Sequence, residues 1–266
     1  MITAKKALGQ HFLNDQEILT RIVAEAAVGP RDVVLEVGPG AGALTEHLQR
    51  AAGRVVAVEV DPALCRRLRE RLPAWPNVSL VEADVLSRSP AALLAAAGLP
   101  PETDYVLLGN LPFNIGAAVL RHFLEAERPP LRATVMLQRE VATAIAAPPG
   151  RLGLLAVSVQ VYAEARCLFD VPARAFQPPP KITSSILRLD RRPTPLVAVA
   201  ERDHFFAVVR AGFSAPRKQL ANSLALGWGR SAAALRSDIE AAGLAATARP
   251  QDLDIAAWRR LAARLS

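Results

Sequence analysis

Val33-Val34-Leu35-Glu36-Val37-Gly38-Pro39-Gly40-Ala41-Gly42 decides the fold. Its first half is a short apolar run rich in valine, the pattern of a strand buried on both faces. Its second half carries glycine at every second position, and a helical pattern over 43–52 begins at once. Glycine tolerates the backbone of a tight turn and lets main chain approach a ligand closely. Strand, glycine turn and helix in succession predict the first unit of a parallel α/β sheet. The turn reads Gly-x-Gly-x-Gly with Glu36 two residues ahead, and so lacks the dinucleotide fingerprint Gly-x-Gly-x-x-Gly. Pro39 also removes one amide that could have cradled phosphate. A nucleoside without pyrophosphate is the favoured ligand; the alternative is an ordinary strand–helix turn.

The same alternation extends in both directions along the chain. Residues 33–38, 54–60, 78–84, 105–110 and 133–138 read as strands, and 43–52, 62–72, 90–97 and 116–125 as helices. Asp61-Pro62 is a strong helix start, with an acidic N-cap and proline at the first helical position. A helix over 153–163 and strands over 166–171 and 182–189 follow, adding an antiparallel pair. Residues 191–195 form a polar linker. Four helices are expected over 201–212, 216–226, 231–242 and 252–264, broken at Gly227, Gly229, Gly243 and Pro250. The expected fold is an α/β doubly wound, seven-stranded, mostly parallel sheet over residues 1–190, with a small all-helical domain over 191–266.

Composition narrows the class. The 266 residues are 51% hydrophobic, enough for a large core. Two cysteines, Cys65 and Cys167, cannot build a disulfide scaffold, which favours a reducing, cytoplasmic setting. No run of eighteen apolar residues suggests a membrane span, and no secretory leader is expected after Lys6. The net charge of +7 is uneven: residues 186–266 hold 13 Lys/Arg against 7 Asp/Glu, so nearly all the excess lies in the tail. A basic tail on a neutral body suits a polyanion partner such as nucleic acid.

Two acids sharpen the ligand. Glu59 ends the second strand, 21 residues after Gly38, where a carboxylate can accept from ribose hydroxyls. Asp84 ends the third, beside the backbone of Val85, and can accept from an adenine amino group. The ligand is adenosine-like. NAD and S-adenosylmethionine both qualify, and the missing fingerprint tilts the choice to the second. No metal is expected, because His47, His122 and His204 lack ligand spacing.

The fourth strand ends in Gly109-Asn110-Leu111-Pro112-Phe113-Asn114. This resembles the (Asn/Asp/Ser)-Pro-Pro-(Tyr/Phe) signature of enzymes that methylate exocyclic amino groups of bases. The adenine amino nitrogen is a poor nucleophile because its lone pair is delocalised into the ring. The Asn110 side-chain oxygen and a rigid carbonyl, assigned to Leu111, can each accept one N–H and draw the nitrogen toward tetrahedral geometry. Pro112 fixes the turn. Phe113 offers a stacking face, worth about 1–3 kcal/mol. Such catalysis is positioning and electrostatics, with no general base required beforehand.

Four further segments extend the resemblance: Gly9-Gln10-His11-Phe12-Leu13-Asn14, Met136-Leu137-Gln138-Arg139-Glu140-Val141, Phe176-Gln177-Pro178-Pro179-Pro180-Lys181-Ile182-Thr183-Ser184 and Phe213-Ser214-Ala215-Pro216-Arg217-Lys218-Gln219-Leu220. Together with the motifs above, the chain resembles the ribosomal RNA adenine dimethyltransferases, most nearly those of the bacterial small subunit. The resemblance implies a class I S-adenosylmethionine-dependent methyltransferase fold and action on two adjacent adenosines of 16S rRNA within a 30S precursor; a monomer is the default expectation. It implies cofactor contacts from His11, Leu13, Gly38, Gly40, Glu59, Asp84, Val85 and Asn110. Phe113 and Phe176 would sandwich the target adenine, and Lys181, Arg217 and Lys218 would face RNA phosphate. The family often has asparagine where His11 stands and usually tyrosine where Phe113 stands. Alternatives are the sister enzymes that methylate 23S rRNA, a non-catalytic RNA-binding assembly factor and a hydride-transfer enzyme.

Overall fold

The computed structural model describes residues 11–112 and 114–265. The chain divides into two compact units, Met1–Ala142 with Glu164–Arg191, and Thr143–Ala163 with Arg192–Ser266. The expected division at 190/191 takes no account of residues 143–163, which cluster with the tail.

In chain order the first unit begins with β1 (Phe12–Leu13), α1 (Gln16–Glu25), β2 (Val33–Val37), α2 (Ala43–Ala51), β3 (Arg54–Glu59), α3 (Pro62–Arg71) and β4 (Val78–Glu82). It continues through α4 (Pro90–Ala96), β5 (Val106–Asn110), α5 (Gly116–Leu124) and β6 (Arg132–Gln138). Then come α6 (Arg139–Ile145), α7 (Leu154–Gln160), β7 (Ala163–Val171), β8 (Phe176–Gln177) and β9 (Ser184–Arg191). The chain closes with α8 (Arg202–Gly212), α9 (Leu220–Trp228), α10 (Ala232–Ala241) and α11 (Ile255–Arg264). Among the described residues no helix is long and apolar enough to cross a membrane.

Seven strands form one sheet in the order β4-β3-β2-β5-β6-β9-β7. The pairs β3/β4, β2/β3, β2/β5 and β5/β6 are parallel, and β9 runs antiparallel to β6. This is the expected mostly parallel sheet. Local signals explain the helix starts. Asp15 caps α1 by accepting from the Glu17 and Ile18 amides, and Asp61 caps α3 by accepting from Ala63 N at 2.9 Å, with Pro62 next. One face of the sheet is sealed by α1: Leu19 and Ile22 pack in a core with Val34, Val106, Leu108, Met136 and Ile186. The Arg132 guanidinium holds the end of α1, donating to the Ala26 and Ala27 carbonyls and pairing with Asp32 at 2.6 Å.

The second unit is helical. Trp258, Phe205, Leu220, Leu224, Leu235, Ile239 and Leu261 are all buried, so α8 to α11 share one apolar core. Two expectations are corrected. The helix expected from 216 begins at Leu220, because Pro216-Arg217-Lys218 lie in a turn closed by Lys218 N–H to the Ala215 carbonyl at 2.9 Å. Gly227 does not break that helix. It sits where α9 crosses α8, and a Cβ there would lie 2.6 Å from Ala211 Cα.

Candidate cofactor and base site

Parallel sheets bind ligands at the carboxyl ends of strands where the chain order reverses. Here β2 is flanked by β3 on one side and β5 on the other, so the reversal falls at its carboxyl end. A cavity of about 310 Å³ lies there, within the first unit. Gly38, Gly40 and Gly42 have φ of 68°, 58° and 83°, the left-handed backbone that favours glycine. Their amides are already used. Gly38 N–H donates to the Val58 carbonyl, Gly42 N–H to the Pro39 carbonyl and Gly40 N–H to Glu59 Oε2. With Pro39 having no N–H, these positions offer no cradle for a pyrophosphate. That agrees with the absent dinucleotide fingerprint.

The Glu59 carboxylate lines the cavity and is 5% exposed. Burial pushes its carboxyl up, while amide bonds from Asp61, Gly40 and Val60 pull it down. The three amides, at 2.9–3.1 Å, hold the carboxylate in one orientation on the cavity wall. Asp84, on the same wall, is exposed and accepts from Leu86 N–H at 2.9 Å, with Val85 buried beside it. Two acidic acceptors on a mainly apolar wall fit a nucleoside with its ribose and amino groups.

Asn110 ends β5 and faces the same cavity. Its Nδ2 donates to the His11 main-chain carbonyl at 3.0 Å. A carbonyl can only accept, so this bond fixes which end of the amide is nitrogen. Among the described residues, no group donates to Oδ1. The segment carrying His11 is itself held. β1 pairs antiparallel with β8, Asn14 N–H donates to the Ala175 carbonyl, and His11 Nδ1 lies 2.8 Å from the Pro178 carbonyl. Leu111 N–H donates to the Met136 carbonyl at 3.2 Å, and Pro112 opens the turn into α5.

His11, Leu13, Gly38, Gly40, Glu59, Asp84, Val85, Asn110, Leu111 and Pro112 therefore meet around one cavity. Phe113 lies outside the described residues. Phe176 does not line the cavity: it is 4% exposed, in the core beside Leu13, because its strand pairs with β1. Lys181, Arg217 and Lys218 are exposed and do not line it either. Cys65 is buried in α3 and Cys167 is exposed on β7.

One buried acid was named in the glycine motif without being given a role. Glu36, two residues before Gly38, accepts from Thr45 Oγ1 at 2.7 Å, and its Oε1 is buried with no partner among the described residues. The signal was an acid inside an otherwise apolar strand. Burial pushes its carboxyl up to about 8, against the Thr45 bond, which lowers it. The fold thus holds a proton that an unfolded chain releases near pH 4.5. This group's contribution is complete below that pH and is lost as pH rises toward 8. Glu36→Gln should remove one proton's slope from that window, about 1.4 kcal/mol per pH unit. Chemical unfolding across pH 5–8 measures it, and an unchanged slope would refute the assignment.

Residues 1–262 match the ribosomal RNA adenine dimethylase family. The chain belongs to that family. It is 41% identical over 260 residues to the ribosomal RNA small subunit methyltransferase A of Dehalococcoides mccartyi strain CBDB1, covering 98% of this chain and 88% of the relative. The enzyme of the same name from Shouchella clausii is 42% identical, covering 84% and 75%. Among solved structures, the 23S rRNA methyltransferase ErmE superimposes with a TM-score of 0.73 at 31% identity, covering 96% of this chain and 99% of that one. A dimethyladenosine transferase from Plasmodium falciparum shares the fold, with a TM-score of 0.79 at 21% identity and coverage of 94% and 96%. As a member of the dimethylase family, the chain is an S-adenosylmethionine-dependent rRNA methyltransferase.

Proposed function

We propose that this dimethylase transfers methyl groups from S-adenosylmethionine to N6 of two adjacent adenosines near the 3′ end of 16S rRNA, giving N6,N6-dimethyladenosine. The substrate is a 30S precursor and the working unit a monomer. The observation that carries the reading is Asn110, whose Nδ2 is committed to His11 so that Oδ1 is left for a substrate N–H. The higher identity to small-subunit enzymes, 41% against 31% for the 23S enzyme, favours 16S over 23S as the target.

Glu59 would hold the ribose hydroxyls and Asp84, with Val85, the adenine of the cofactor. Leu13, the His11 segment and the glycine turn would hold its methionine end. The bound cofactor supplies an electrophilic methyl group carried on a sulfonium. Asn110 Oδ1 and the Leu111 carbonyl accept the two N6–H bonds of the target adenine and draw its lone pair out of the ring. Apolar walls exclude water, which strengthens both contacts. The target base must be unpaired or leave its helix, and Phe113 stacks on it. Phe176 reaches the base only if β8 lifts. Lys181, Arg217 and Lys218 contact phosphates, which makes binding salt-sensitive.

Labelled methyl transfer to unmethylated 30S and 50S particles tests the reading. Label in 30S alone is expected; label in 50S alone would assign the protein to 23S rRNA.

A further inference from the structure

The tail carries a basic turn whose shape depends on one buried hydroxyl. Ser223, on α9, is fully buried. Its Oγ donates to the Gly212 carbonyl at 2.5 Å and accepts from Ala215 N–H at 2.8 Å. Gly212 is the last residue of α8, where carbonyls lose their helical partners. Ala215 opens the turn that Lys218 N–H closes on its carbonyl. One hydroxyl therefore joins the end of α8, the start of the turn and α9. Gly227 adds to the clamp, since its missing side chain lets α9 approach both Ala211 and Ser214.

The turn presents cations. Arg217 and Lys218 are exposed, as is Arg210 in the last turn of α8, and none has an ion-pair partner among the described residues. Many other arginines of the chain are paired with acids, for example Arg230 with Asp238 at 2.7 Å. Two adjacent unpaired cations on a fixed turn suit a pair of phosphates, whereas the same cations on a loose loop would lose affinity to ordering entropy.

We propose that Ser223 is a positioning residue for RNA binding: its hydroxyl fixes the 215–218 turn so that Arg217 and Lys218 engage phosphate together. This rests on the reading that the tail grips rRNA. Ser223→Ala should raise KM for unmethylated 30S particles about tenfold, and reduce the salt slope of binding by about one to two units. kcat at saturating particle and the affinity for S-adenosylmethionine should not change. A role in stability alone would lower Tm and leave the salt slope as it was.

The comparison needs Arg217→Ala/Lys218→Ala and the triple variant. The double variant should show the same KM and slope changes, and adding Ser223→Ala to it should change nothing more. If the double variant binds 30S as the parent does, the grip reading fails and the proposal with it. If it weakens binding while Ser223→Ala does not, the proposal alone fails. It also fails if the Ser223→Ala effect persists in full in the double-variant background. Ser223→Cys, which keeps the volume and weakens both hydrogen bonds, covers an unfolded alanine variant. Unfolding of both would assign the hydroxyl to the fold and overturn the proposal.

Discussion

Asn110→Ala should lower kcat for methyl transfer by about two to three orders of magnitude, the usual cost of removing one preorganised polar group from a reacting centre. On the proposed reading, the substitution deletes the oxygen that accepts from the substrate amino group, and with it the means of drawing the lone pair out of conjugation. It also deletes the Nδ2 bond to the His11 carbonyl. That loss should cost about 1 kcal/mol of stability, which leaves a folded protein. S-adenosylmethionine affinity should fall by a smaller factor than kcat, because Asn110 and the His11 segment it anchors are expected to touch the cofactor while Glu59 and Asp84 are untouched, and 30S particles should still bind. Single-turnover kinetics with enzyme and S-adenosylmethionine in excess over particles separates chemistry from binding. A variant with near-parental kcat would remove Asn110 from the chemistry.

The second large effect falls on the cofactor. Glu59→Ala should weaken S-adenosylmethionine binding about 100-fold or more, from the loss of charged acceptors for two hydroxyls at about 1.5–3 kcal/mol each. Part of the loss is indirect. The Glu59 carboxylate also accepts from the amides of Gly40, Val60 and Asp61, so its removal frees the glycine turn. Glu59→Gln separates the two contributions. It keeps one acceptor oxygen but turns an N–H donor toward groups that also donate, so it should lose affinity by a smaller factor. Calorimetric titration of the folded variants gives both values. Parental affinity in Glu59→Ala would move the ribose site elsewhere.

The sheet was legible because each strand is a short apolar run that stops at a residue of special chemistry: Val37 before Gly38, Glu59 before Asp61, and Asn110 before Pro112. Those stops are also where the cavity forms, so Gly38, Glu59, Asp84 and Asn110 could be named from spacing, whereas His11 and Leu13 came only with the resemblance. Other features leave no periodic trace. β1 and β8 are two residues each, too short to show alternation, and their pairing joins segments more than 160 residues apart. The bond between Asn110 and His11 spans 99 residues and uses a main-chain carbonyl, so no side-chain type announces it. The resemblance implies a stacking face at Phe176, yet the same aromatic surface is what the core beside β1 takes up. In the tail, Gly227 reads as a helix breaker by propensity, but contact with Ala211 overrides it.

The neutral body holds Asn110 and the proposed cofactor wall, and the basic tail holds the proposed grip. The central claim is that this arrangement acts on two adjacent adenosines of 16S rRNA. Its most direct test is to methylate unmethylated 30S particles with labelled S-adenosylmethionine, digest the RNA and map the product by mass spectrometry. The account predicts two neighbouring N6,N6-dimethyladenosines near the 3′ end of 16S rRNA, formed by the parent and not by Asn110→Ala. Label at a single adenosine, at another atom or in 23S rRNA would contradict it.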